Sequence, residues 1–167
     1  QVFSDEHQTI GIKIENYPYA PLSFSSRIHD LKLAETDNGN YQVETTGTDP
    51  YVWLRSFKDS YQPNLSYIIA FEYQVAGDFG EFVFYCSTGN QTKAIRTELK
   101  PSEDWQWHVF ELSEKGKLIG QEIDDLRMDF GEQADKTFQV KNLRLIETTR
   151  DLRLYAAVGN KLNQIKD

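Results

Sequence analysis

One cysteine, one methionine and five prolines in 167 residues leave little obvious chemistry to start from. A single cysteine excludes an internal disulfide, so the fold has to rest on a hydrophobic core, which a chain of this length can build as one domain. That residue, Cys86, lies in the apolar run Phe82 to Cys86. A reactive thiolate needs an electropositive setting that this run lacks, and Cys86 reads as a small buried hydrophobe. No apolar run approaches the roughly 20 residues that span a bilayer as a helix. Cations are the minority, 18 Lys and Arg against 26 Asp and Glu, and a net charge of -8 excludes a nucleic-acid surface, which needs clustered Lys and Arg. The three histidines, His7, His29 and His108, are far apart, and none lies in a metal-ligand spacing. His29 and His108 fall in predicted strands and read as hydrogen-bonded structural histidines. There is no G-x-S-x-G elbow, no P-loop and no dinucleotide fingerprint.

What the chain has is aromatic surface: ten Phe, nine Tyr and three Trp. Such residues fit the pleated surface of a sheet. The block Trp105 to Leu145 shows the pattern best. Phe110 and Leu112 share one phase of a strand, Leu126, Met128 and Phe130 share one phase of the next, and alternation sends each set to a core. In Phe138 to Leu145 the phase slips: Phe138 and Val140 agree, whereas Leu143 and Leu145 fall out by one residue. A β-bulge near Lys141-Asn142 restores them to the same face. Further alternating runs cover Thr9 to Ile14, Arg27 to Ala34, Tyr41 to Thr45, Tyr51 to Phe57, Leu65 to Val75, Glu81 to Ser87 and Lys93 to Leu99.

Turn chemistry separates these runs. Asn38-Gly39 predicts a hairpin, Gly77-Asp-Phe-Gly80 predicts another, and Pro18 and Pro21 mark a connection. The spacing gives an all-β fold, an antiparallel β-sandwich or jelly roll of about ten strands. That domain covers residues 1–149, and residues 150–167 are a C-terminal linker or docked extension with a rough helical spacing broken by Gly159. Ser113 to Glu122 is a glycine-broken loop.

Candidate chemistry follows from the strand faces. Glu122-Ile-Asp-Asp-Leu-Arg127 partly matches the E-x-D-x-E signature of retaining β-glucanases, but Leu126 stands where the acid/base is needed. The sheet motifs of jelly-roll polysaccharide lyases are not found either, so glycoside hydrolase and lyase chemistry are the weaker readings. Asp37, Asn38 and Asn40, and separately Asp124 and Asp125, are candidate oxygen ligands for a structural calcium, without EF-hand spacing. Sugar recognition asks for aromatic rings beside charged and amide groups that bind hydroxyls. Tyr51, Trp53 and Arg55 share one phase of their strand, Arg127 and Asp129 lie opposite Leu126 and Met128, and Trp105 and Trp107 lie opposite Phe110 and Leu112. Tyr85 and Glu72 join one set or the other. The competing reading is that these aromatics pack and the Arg/Asp pairs are solvated surface. The juxtaposition to look for is Arg127 and Asp129 against the strand carrying Trp53.

Asp49-Pro-Tyr51 before a strand, Leu65-x-Tyr-x-x-x-Phe-x-Tyr73, Trp105 to Leu112, Leu126-Arg-Met-Asp129 and Val140-x-Asn-Leu-Arg-Leu145 together resemble the galactose-binding-domain-like jelly rolls. The similarity runs from Thr9 to Ile146 and rests on pattern. It implies a non-catalytic carbohydrate-binding or accessory module of a secreted, periplasmic or cell-surface bacterial polysaccharide-degrading system. Its partners would be a polysaccharide or oligosaccharide and an adjacent catalytic domain, and such modules often hold a structural calcium. The resemblance places no binding residue. A structural or protein-interaction domain with no sugar ligand stays open beside it.

Overall fold

The structure is a computed structural model and describes residues 18–37, 39–55, 66–88, 91–112 and 123–148. Among these residues there are eleven strands: β1 (Ala20–Pro21), β2 (Phe24–His29), β3 (Leu31–Asp37), β4 (Asn40–Thr45), β5 (Tyr51–Leu54), β6 (Ser66–Val75), β7 (Phe82–Thr88), β8 (Gln91–Arg96), β9 (Ser102–Glu111), β10 (Asp125–Phe130) and β11 (Thr137–Thr148). They build two antiparallel sheets. Sheet A runs β3-β4-β11-β6-β9, with β1 also on β11, and sheet B runs β2-β5-β10-β7-β8. The all-β sandwich expected from the alternation is the fold observed. The first alternating run (Thr9 to Ile14), the Ser113 to Glu122 loop and the extension at 150–167 lie outside the described residues.

Phase decides what is buried. Leu126, Met128 and Phe130 of β10 face Phe110 of β9, and Leu112 just past its end, across a single core. Rings fill the space between the sheets at close range: Phe84 of sheet B lies 4.2 Å from Phe110 of sheet A, centroid to centroid. The bulge predicted near Lys141-Asn142 is present. Lys141 pairs with Glu72 and Arg144 with Ala70, so three steps along β11 match two along β6. Asn142 takes up the extra residue in the left-handed region, at φ 56°. Leu143 and Leu145 consequently turn back into the core with Phe138 and Val140.

Two local expectations are corrected. The run Arg27 to Ala34 is not one strand: the chain turns at Asp30, at φ 53°, and β2 and β3 belong to different sheets. Gly77 to Gly80 likewise closes no hairpin, because β6 is in sheet A and β7 in sheet B. Within that link Phe79 is buried, with its ring 5.0 Å from Phe138. Both inner faces look onto the same core, so alternation continues through a change of sheet without a visible break. The turn residues are also shared by hairpins and sheet-to-sheet corners. The hairpin at Gly39 is as expected, with β3 paired to β4.

Candidate functional site

The outward face of sheet B gathers most of the polar and aromatic residues singled out above. Arg127 of β10 pairs with Trp53 of β5 and Asp129 with Tyr51. On the far side of β10, Arg127 is level with Tyr85 of β7. His29 of β2 is level with Tyr51. The anticipated meeting of Arg127 and Asp129 with the Trp53 strand is therefore a cross-strand register, with Tyr85 on the same face.

These side chains stack across the strands. The His29 ring lies 4.9 Å from that of Tyr51 with planes 13° apart. The guanidinium carbon of Arg127 lies 4.1 Å from the Tyr51 centroid and 4.5 Å from that of Tyr85. Since β5 lies between β2 and β10, and β10 between β5 and β7, the row reads His29, Tyr51, Arg127, Tyr85 across four strands. Tyr51 is thus held on both ring faces by the protein itself. It offers a ligand its edge and hydroxyl, not the open stacking face expected of it. In the next row, the Arg27 guanidinium lies 4.5 Å from the Trp53 centroid and Arg127 5.7 Å away.

Electrostatics fix the row in place. Arg127 donates from Nε to Asp129 Oδ1 at 2.7 Å and from Nη2 to Oδ2 at 2.9 Å, the planar two-point pairing that guanidinium and carboxylate favour. Burial lifts the Asp129 carboxyl above its ordinary value, and the hydrogen bonds and charge of Arg127 offset only part of that. Arg27 is held far less firmly. Its contact with Asp125 is 3.7 Å and both side chains are well exposed, a pair worth little in water. At the edge, His29 Nδ1 is 2.9 Å from the Asp49 carbonyl oxygen. That bond, with the Asp30 and Asp49 carboxylates, raises the imidazole above its ordinary value. The corner beneath it is tight. Asp30 accepts from the Asp49 N–H at 3.1 Å, and a Cβ on Gly47 would fall 2.4 Å from the Asp30 carboxyl carbon.

Other predicted residues go elsewhere. Arg55 follows the end of β5 and lines a separate cavity with Glu35 and Tyr41. Trp105 and Trp107 lie on sheet A, facing away from the core and across the sandwich from Trp53. Lys141 Nζ sits 3.9 Å from the Trp105 centroid, and Trp107 packs on a small apolar cluster of Ile68, Ala70, Val109 and Ile146. Glu72 joins this side, level with Trp107. His108 points into the core, as a structural histidine should, whereas His29 is exposed on the face just described. Arg27 is not among the residues that strand phase singles out: the β2 corner brings it over Trp53, and nothing in local periodicity signals that contact.

Of the two clusters proposed for calcium, Asn38 lies outside the described residues. Asp37 and Asn40 face each other across the β3–β4 hairpin, and Asp125 is beside Arg27. Among the described residues no group of three or more His, Cys, Asp or Glu side chains is arranged to hold a metal ion. No described helix is long and apolar enough to cross a membrane. Glu122 lies outside the described residues. On β10 the two outward carboxylates, Asp125 and Asp129, are four residues apart, about 13 Å between Cα atoms at strand spacing. Nearer each other are Asp30 and Asp49, whose Oδ2 atoms lie 3.8 and 3.9 Å from His29 Nδ1.

No protein-family model matches the chain, and no curated protein matches it in sequence. Solved structures do match in fold. A family 29 carbohydrate-binding module from Piromyces equi aligns with a TM-score of 0.55 at 12% identity, over 80% of this chain and 87% of that one. The C-terminal family 6 module of the laminarinase LamC from Zobellia galactanivorans aligns at 0.54 and 10%, over 77% and 99%. The agarase AgWH50C aligns at 0.56 and 10%, over 81% of this chain but 23% of the agarase. The chain therefore has the β-sandwich fold of carbohydrate-binding modules, a fold that also occurs as one part of a larger glycan-active protein.

Proposed function

We propose that this chain is a carbohydrate-binding module that takes a polysaccharide or oligosaccharide across the outward face of sheet B, without making or breaking bonds. The observation that carries the reading is the row His29, Tyr51, Arg127, Tyr85, held on four paired strands with Trp53 beside it. Tyrosine hydroxyls and the guanidinium edge bind sugar hydroxyls, and their positions are set before the ligand arrives, which lowers the ordering cost of binding. Trp53 supplies the stacking face once the weakly held Arg27 moves off it. The fold shared with a module of a laminarinase and with part of an agarase chain supports an accessory role, outside the cell and next to a catalytic domain.

The test is affinity electrophoresis against xylan, β-glucan, mannan and agarose. At least one of these should retard the wild type. The shift should vanish in Trp53→Ala and shrink in Tyr85→Ala, with a cooperative melting transition retained in both. A protein that none of them retards is not this module. In that case the structural or protein-interaction reading takes its place, favoured by the second apolar cluster on the outward face of sheet A. The reading needs no metal, so a chelator should leave binding and melting unchanged.

A further inference from the structure

A cavity of about 440 Å³ opens where sheet A changes partner, and its lining includes Tyr19, Glu35, Tyr41, Arg55, Asn142 and Arg144. Strand β4 pairs with β11 as far as Val140, and β1 takes over at Arg144 and Leu145. The bulge at Asn142 falls in the gap between them, and bulges recur where a side chain must be re-aimed. The volume lies within the roughly 300–1,000 Å³ of small-molecule sites. None of these residues belongs to the row on sheet B.

Its charge is unlike that of the rest of the molecule. The chain carries -8 overall, yet this lining brings two guanidiniums against one carboxylate. Glu35 is partly committed, since its Oε2 accepts from the Gly39 N–H at 2.8 Å. Arg144 is only 4% exposed and donates from Nε to the Asn142 carbonyl at 3.1 Å, but among the described residues its buried Nη1 has no hydrogen-bond partner. A buried charged donor left unbonded is costly, and an anionic acceptor is the group that removes that cost. Arg55, exposed at the end of β5, has no ion pair among the described residues. Tyr19, 48% exposed, lies 3.7 Å from the Arg144 guanidinium and adds an aromatic surface beside the two cations.

We infer that this cavity is a second ligand site, independent of the sheet B face, that takes an acidic sugar unit. The anionic group, a uronate carboxylate or a sulfate ester, sits between Arg55 and Arg144, the sugar ring lies against Tyr19, and Glu35 accepts from a hydroxyl. Charge-assisted pairing of this kind weakens as salt rises, because Arg55 is exposed.

Isothermal titration with a galacturonate trisaccharide, a sulfated galactose disaccharide and a neutral galactose disaccharide tests it. At least one acidic ligand should bind at least tenfold more tightly than the neutral one, and which of them binds separates carboxylate from sulfate. Arg55→Gln should weaken that binding roughly tenfold or more, the size of one charge-assisted contact. Glu35→Gln should tighten it, and Trp53→Ala should leave it unchanged. Failure of both acidic ligands to bind the wild type overturns the inference. So does indifference to Arg55→Gln, or loss on Trp53→Ala, which would move the acidic ligand to sheet B. Failure of the sheet B reading alone leaves the Arg55 result standing.

Discussion

His108 shows how far a single side chain can be taken from its ordinary chemistry. Its ring lies among Phe71, Phe82 and Phe110 at 5.5, 6.1 and 5.8 Å, and its Nε2 is 2.7 Å from Thr97 Oγ1. Burial lowers its pKa from 6.5 to about 4. The unfolded chain takes up this proton near pH 6.5, and the folded chain refuses it until about pH 4. Stability contributed by the neutral ring is therefore whole above pH 6.5 and falls as acid is added across that window, by up to about 3 kcal/mol. Urea midpoints at pH 7 and pH 4.5 should differ in the wild type, and His108→Gln should flatten the difference; parallel slopes would assign it to other groups. Asp129 acts with the opposite sign. Its raised carboxyl means that burial of the charge costs stability at neutral pH, and acid relieves that cost in the carboxylate range. Periodicity assigned His29 and His108 the same structural role, because each falls in an alternating run. Only the corner at Asp30, which no local pattern announces, separates the exposed ring from the buried one.

At the scale of elements, the bulge in β11 is the feature on which most depends. One residue, Asn142, sets whether Leu143 and Leu145 face the core or the solvent, because side chains in a strand alternate with a period of two. Its amide also donates to Glu72 on β6, which ties the bulge to the neighbouring strand. Deleting Asn142 should move both leucines and Arg144 to the wrong faces. The expected outcome is loss of the cooperative melting transition, or a destabilisation of several kcal/mol, since two large apolar side chains leave the core together. Asn142→Gly keeps the extra residue and suits the left-handed backbone, while losing the bond to Glu72. It should stay folded within about 1 kcal/mol of wild type in chemical denaturation. A folded deletion variant would show that the register is set elsewhere. This bulge was legible in the sequence because a phase slip within one strand is a local signal. The Gly77 to Gly80 link departs from the hairpin its residues predict for the complementary reason. Its residues specify a turn, and which sheet receives the next strand is decided by pairings that lie far along the chain.

For the whole molecule, the sequence carried the alternation and therefore the sandwich, the core and the phase of nearly every candidate residue. It could not carry the assignment of strands to sheets, and that assignment separates the candidates into groups. Tyr51, Trp53, Arg127 and Asp129 come together because β5 and β10 are neighbours. Arg55 shares their phase but lies beyond the strand, and Trp105 and Trp107 face away on sheet A. This division makes the three tryptophans reporters of different surfaces. A glycan on sheet B should alter the emission of Trp53 alone, since Trp105 and Trp107 have the thickness of the sandwich between them and the ligand. Trp53→Phe should then remove the ligand-induced change in fluorescence, while a Trp105→Phe, Trp107→Phe double variant keeps it in full. The double variant matters more, because Trp53→Phe could also weaken binding, and electrophoresis of the same protein separates a lost signal from a lost complex. If the signal disappears in the double variant while retardation persists, the glycan lies on sheet A. The row His29, Tyr51, Arg127, Tyr85 would then be a device for stiffening sheet B, with its cation–π contacts serving packing and not recognition.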